Sequence, residues 1–174
     1  MDSLAELVAQ QLNRARSQGS QQPRWVERRE KWRQELDSLY SRLRQWLRDA
    51  DLPEECIEQS QQIIREENLG EYFAASLVFT LGNEQIHLQP VGTLLVGALG
   101  RVDLFARRPA SPLFHLIADF STESGPTFID SSHQSALEQN WQWFIAPSSA
   151  KHRSQPLTSD SFAAALQELV TDVH

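Results

Sequence analysis

The sequence predicts an α+β fold, with N-terminal helices, an antiparallel sheet of four to five strands and a C-terminal helix packed on that sheet. Three observations predict it. An apolar seam recurs at helical spacing from Trp25 to Ala50, side chains alternate in steps of two from Tyr72, and a helical period returns after Leu157.

Ser3-Leu4-Ala5-Glu6 has the spacing of a capping box, and Leu4, Leu7, Val8 and Leu12 follow at helical intervals. The segment Ser17 to Pro23 is rich in Ser, Gln and Gly and reads as a flexible connection, which divides the chain into residues 1–22, loosely docked, and a single domain over 23–174. Trp25, Trp32, Leu36, Leu39, Leu43, Trp46 and Ala50 then form one heptad-spaced seam, broken once at Arg29. The charged positions between them read as a solvated face. Asp51 or a neighbour is expected to cap a third helix with Pro53 in its first turn, carrying Ile57, Ile63 and Ile64 and closing at Asn68-Leu69-Gly70.

Phe73, Ala75, Leu77, Phe79 and Leu81 share one face of the first expected strand, and Gly82-Asn83 supplies a two-residue hairpin turn. That turn forces a register in which Leu81 faces Glu84, Phe79 faces Ile86 and Leu77 faces Leu88. Apolar residues then meet on one side, whereas a slip of one residue would carry Gln85 and His87 into the core. The glycines at 92, 97 and 100 require a bend or bulge before a strand with Val102, Leu104 and Ala106 inward. The next strand has Phe114, Leu116, Ala118 and Phe120 inward, and the expected pairing sets Arg101 opposite Asp119 and Phe105 opposite His115. A short helix is expected after Asp130, a fifth strand through Trp141, Trp143 and Ile145, and an exposed loop from Ser148 to Pro156. The last helix, capped at Thr158 or Ser159, shows Phe162, Leu166, Leu169, Val170 and Val173 on one face.

A chain of 174 residues buries enough surface for one core without metals or disulfides. Cys56 is the single cysteine, and no stretch has the build of a secretory signal, so a reducing cytoplasm is the expected setting. The longest apolar run, Val91 to Leu99, is too short to cross a bilayer, which needs roughly 20 residues. Net charge is −7, unevenly spread: residues 1–50 hold ten Arg or Lys against seven acids, and the remainder six against sixteen. The acidic majority opposes extended contact with a phosphate backbone.

The least ordinary stretch is Pro90-Val91-Gly92-Thr93, continuing through Gly100-Arg101-Val102-Asp103. It resembles a segment of small uncharacterised bacterial proteins that also place charged helices before a sheet and an apolar helix after it. The resemblance follows the order of elements from about residue 25 to 172; it implies the fold and a bacterial origin, and no activity. Gly-Arg-Val-Asp also looks like the first acid of a restriction-endonuclease-like nuclease, with Asp103 and Asp119 as metal-holding carboxylates. The position where that chemistry needs lysine is Ser121, so an Arg101–Asp119 ion pair across strands is the simpler expectation.

His87, His115 and His133 lack the short spacings of zinc sites, and the acids around Cys56 suppress its thiolate. Asp130, Ser131 and His133 are catalytic-triad letters only by adjacency. No cofactor or metal is therefore expected. The arginines and aromatics of 24–48 fit nucleic-acid binding as a second alternative, although the aromatics share the leucine seam. The leading expectation is a non-enzymatic accessory or regulatory protein. It would bind a protein partner, or a second copy of itself, through Trp25, Trp32, Leu36, Leu39, Leu43 and Trp46.

Overall fold

A computed structural model describes residues 3–67, 69–93, 99–107, 111–120, 141–150 and 153–171, with the backbone alone at 14–24 and 120. The segments expected to carry Phe128-Ile129, the short helix after Asp130, His133 and Val173 lie outside the described residues.

Helix α1 (Leu4–Asp49) is one helix of 46 residues, about 69 Å long at a rise of 1.5 Å per residue. Its capping box is formed as expected: Glu6 N–H donates to Ser3 Oγ, and Ser3 N–H donates to the Glu6 carboxylate. The flexible connection at 17–23 is not formed, and the boundary drawn at residue 22 falls inside this helix. Ser and Gln cost a helix only tenths of a kcal/mol, although Gly and Pro cost about 1 and 3. Leu4 stands 21 residues, three whole heptads, before Trp25. An unbroken helix therefore holds the early leucines in phase with the tryptophan seam, within the roughly 20° of drift per heptad of a straight helix.

Asp51 ends α1 instead of starting another helix. Its φ of 65° is left-handed, and Leu52 N–H reaches back 2.9 Å to Leu47 C=O, the long bond of a Schellman closure. A short 3-10 turn at Glu54–Cys56 leads not to a third helix but to strand β1 (Ile57–Glu66). Strand β1 pairs along its whole length with β2 (Gly70–Leu81), from Ile57 opposite Phe79 to Glu66 opposite Gly70. Ten ladder pairs outweigh the weak helical spacing of three isoleucines.

The remaining strands are β3 (Glu84–Gly92), β4 (Gly100–Ala106), β5 (Leu113–Phe120), β6 (Trp141–Pro147) and β7 (Gln155–Pro156). They complete a seven-stranded antiparallel meander in which each strand lies beside its chain neighbour, two to three strands more than the sequence predicts. The additional ones are β1 and the short β7, in regions read as helix and loop. The Gly82-Asn83 hairpin has the expected register, Leu77 to Leu88 and Phe79 to Ile86. Positive φ at Gly82, the first central residue, and not at Asn83 is the pattern of a II′ turn.

Helix α1 and helix α2 (Ser159–Thr171) pack on one face of the sheet. Phe162 of α2 lies with its ring centroid 6.0 Å from Trp46 and 6.4 Å from Phe79, and Trp32 lies 6.2 Å from both Trp141 and Trp143. Thr158 caps α2, its Oγ1 accepting from Ser161 N–H. The inward sets of β3 to β6 are buried as expected, the side chain of Phe120 lying outside the described residues. In β2 the expected face holds only from Ala75 onward: Phe73 is exposed, while Tyr72 and Ala74 of the opposite face are buried. The β1–β2 hairpin rolls over at this point, so its far half shows the core its other side.

Candidate functional site

The rolled hairpin creates the most elaborate polar cluster among the described residues. Strand β2 stays beside β3 only as far as Leu77 and Leu88, which leaves the end of β3 without a ladder partner on that side. Side chains take over. Gln62 donates through Nε2 to Pro90 C=O at 3.3 Å, and Thr93 N–H donates to Glu66 Oε1 at 2.6 Å. From α1, Arg28 donates through Nε to Thr93 Oγ1 at 3.0 Å and through its terminal nitrogen to Thr93 C=O at 3.1 Å. The Tyr72 hydroxyl closes the cluster by donating to the second Glu66 oxygen.

This cluster explains the Pro90-Val91-Gly92-Thr93 stretch. Pro90 has no N–H and needs no partner strand for one. Val91 is the extra residue of a bulge, since the β3–β4 register shifts between Pro90 and Gly92. Gly92 has φ +153°, and a Cβ there would lie 2.5 Å from Glu66 Oε1. Gly100 answers a similar demand on β4, where a Cβ would lie 2.3 Å from the Trp32 ring. Residues 94–98 of the stretch lie outside the described residues.

Arg28 is buried, and burial pulls its guanidinium below the ordinary arginine value while the Glu66 charge opposes the pull. Burial pushes the Tyr72 hydroxyl far up, helped by the hydrogen bond to Glu66 and by that carboxylate's charge. Tyr40, whose hydroxyl donates 2.7 Å to Ala75 C=O, is pushed up by burial and then by Asp37. The cluster locks α1 to the sheet.

The outer face of the sheet carries a second polar group. Asp103 lies opposite His115, and His115 Nδ1 is 2.8 Å from Asp103 Oδ1. A carboxylate only accepts, so Nδ1 is the donor in this contact. Arg101 Nε forms an ion pair with the same oxygen at 3.1 Å. His87 stacks on Phe105 with ring centroids 5.3 Å apart and planes within 8°, and burial, then Arg107, lowers its pKa.

The expected cross-strand pairs are two residues out of register: Arg101 faces Ile117, Phe105 faces Leu113, and Asp119 faces Gln142 on β6. The side of the sheet was right, because a shift of two preserves it; the length of the β4–β5 connection set the offset. Asp119 therefore stands four residues along β5 from the partner of Asp103, about 13 Å at 3.3 Å per residue. Two carboxylates so placed do not share one metal ion. Among the described residues no group of three His, Cys, Asp or Glu is arranged to hold a metal.

The seam expected to bind a partner is placed elsewhere. Trp32, Leu36, Leu39 and Leu43 are fully buried against the chain's own sheet, with Trp25 and Trp46 half-buried at its margins. A sheet, not another helix, fills the need the seam expresses. The basic positions are largely engaged too: Arg29 bonds Leu69 C=O, Arg33 pairs with Glu30, Lys31 with Glu35 and Arg48 with Glu54. Sequence reasoning missed Arg28 as an internal anchor. The available signal was its place four residues before Trp32, on the buried side of the helix.

One apolar stripe of α1 is uncovered. Leu4, Leu7, Val8 and Leu12 are all exposed, Leu4 at 77%. No described helix is long and apolar enough to cross a membrane. Compared with known proteins, the chain matches no family model, no curated protein and no solved structure.

Proposed function

We propose that this chain is a protein-binding accessory or regulatory module whose docking element is the N-terminal part of α1. The observation that carries the reading is the exposed stripe of Leu4, Leu7, Val8 and Leu12 on a helix end already fixed by a formed capping box. An amphipathic helix is held chiefly by packing of its apolar face, and this stretch has the spacing of anchors that enter an apolar groove. The partner is a protein offering such a groove. The single thiol of Cys56 suits a reducing cytoplasm, and the resemblance of the Pro90–Asp103 stretch suits a bacterial source.

The test compares the native chain with a variant carrying Leu4, Leu7, Val8 and Leu12 all replaced by serine. Cross-linking in the source cell, followed by purification of both, should recover a partner with the native chain and lose it with the variant, at unchanged circular dichroism and Tm. Equal recovery with both chains would refute the assignment.

A further inference from the structure

The two edges of the sheet are treated differently. At one edge β7 has only two residues, one of them a proline, which is how folded proteins blunt an edge. At the other, β1 offers ten residues, and its ladder to β2 runs through all ten without a register shift. It contains no lysine and no proline. Among the described residues β1 pairs with β2 alone, and Glu58, Gln59, Ser60 and Gln61 are exposed. Beside this edge, Ile63 and Phe73 lie opposite each other and are 52% and 57% exposed.

We propose that this edge is a self-association surface: β1 pairs antiparallel with β1 of a second copy about a twofold axis at Ser60, joining two sheets into one. The axis must stand normal to the sheet, so residues that meet must come from the same face, and their numbers must sum to an even value. Few registers satisfy this. A centre at Gln62 opposes Glu58 with Glu66, and a centre at Gln61 opposes Ile63 with Gln59 and Ile57 with Arg65. A centre at Ser60 sets Ile57 against Ile63, Gln59 against Gln61 and Glu58 against Gln62. Over Ile57 to Ile63, the stretch of β1 that this register pairs, apolar side chains meet apolar ones, amides meet amides, and no like charges are opposed. The exposed Ile63 then reaches the rim of the other copy's core through Ile57, which is itself part of the core cluster.

Cysteine cross-linking in a Cys56→Ser background tests the register. Antiparallel partners lie about 4.5–5.5 Å apart between Cα atoms, within disulfide range, so Ser60→Cys should form a covalent dimer on mild oxidation. Glu58→Cys alone should not, because its mate is displaced four residues along the strand, about 13 Å. Mixing Glu58→Cys with Gln62→Cys should restore the cross-link. In light scattering the native chain should show a concentration-dependent dimer, weakened at least tenfold by Ser60→Pro with the circular dichroism retained. The serine variant of the α1 stripe should dimerise like the native chain, which separates this surface from the docking element. A native chain that stays monomeric up to its solubility limit would overturn the proposal. So would cross-linking of Glu58→Cys as readily as Ser60→Cys.

Discussion

The polar cluster under α1 and the polar group on the outer face use similar residues under opposite conditions. In the first, Arg28 and Thr93 are buried, and the bonds to Pro90 C=O, Thr93 N–H and Thr93 C=O serve backbone groups that have no strand on that side. In the second, Arg101 and Asp103 keep 30% and 19% of their side-chain surface in water. Water can replace a lost partner of Arg101 or Asp103, although His115 between them is itself buried, and cannot do so beneath the helix. The same chemistry is therefore structural glue in one place and nearly neutral decoration in the other.

The sharpest way to break this contrast is alkaline titration. The chain has two tyrosines, Tyr40 and Tyr72, and burial raises both hydroxyls above their ordinary value. An unfolded tyrosine ionises near pH 10. The folded chain holds both protons beyond that point, so the stability they contribute is complete below pH ~10 and falls as pH rises past it. Tyrosinate absorbance should appear in one step coincident with loss of the far-ultraviolet dichroism; a separate earlier step would mean that one hydroxyl is reachable by solvent.

Glu66→Ala should be the costliest of three substitutions, at about 4 kcal/mol in urea unfolding. It removes the acceptor of Thr93 N–H and of Tyr72, along with the charge facing Arg28. Gly100→Ala should cost about 2 kcal/mol, because its methyl meets the Trp32 ring and must displace it; a change in tryptophan fluorescence should accompany the loss. Asp103→Asn should cost under about 1 kcal/mol despite its two partners. A loss from Asp103→Asn equal to that from Glu66→Ala would abolish the distinction between the two clusters.

The same contrast marks what could be read from the sequence. The hairpin at Gly82-Asn83 was legible to the residue because a two-residue turn leaves one register, and that register paired apolar with apolar. Strand β1 was not. Its buried residues are Ile57 and Ile64, seven apart and of opposite parity, because the hairpin rolls over between them. Seven is a helical interval, and a strand that changes face loses the alternation by which strands are recognised. The seam of α1 was legible as a buried stripe, but its covering was not, since a stripe records the need for an apolar surface and not whether helix or sheet supplies it. The place of Arg28 four residues before Trp32 marked the buried side of the helix but not its role, since a charged residue in a basic helix resembles any solvated arginine until a strand end lacking a partner is seen beneath it.

The neighbour-to-neighbour order of the strands bears on how the chain reaches this state. The hairpins β1–β2 and β2–β3 can zip from the short turns that join them, at small entropic cost, while residues 121–140 separate β5 from β6. The ties between α1 and the sheet span much longer stretches, 65 residues from Arg28 to Thr93 and 35 from Tyr40 to Ala75. Sheet formation should thus precede helix docking, and in stopped-flow refolding the quenching of Trp32 by its neighbours should trail the β signal; simultaneous rise of both would contradict that sequence of events. Until α1 arrives, the end of β3 has no strand on its β2 side and lacks its arginine, so the last event in folding is also the one that seals the most vulnerable stretch of backbone.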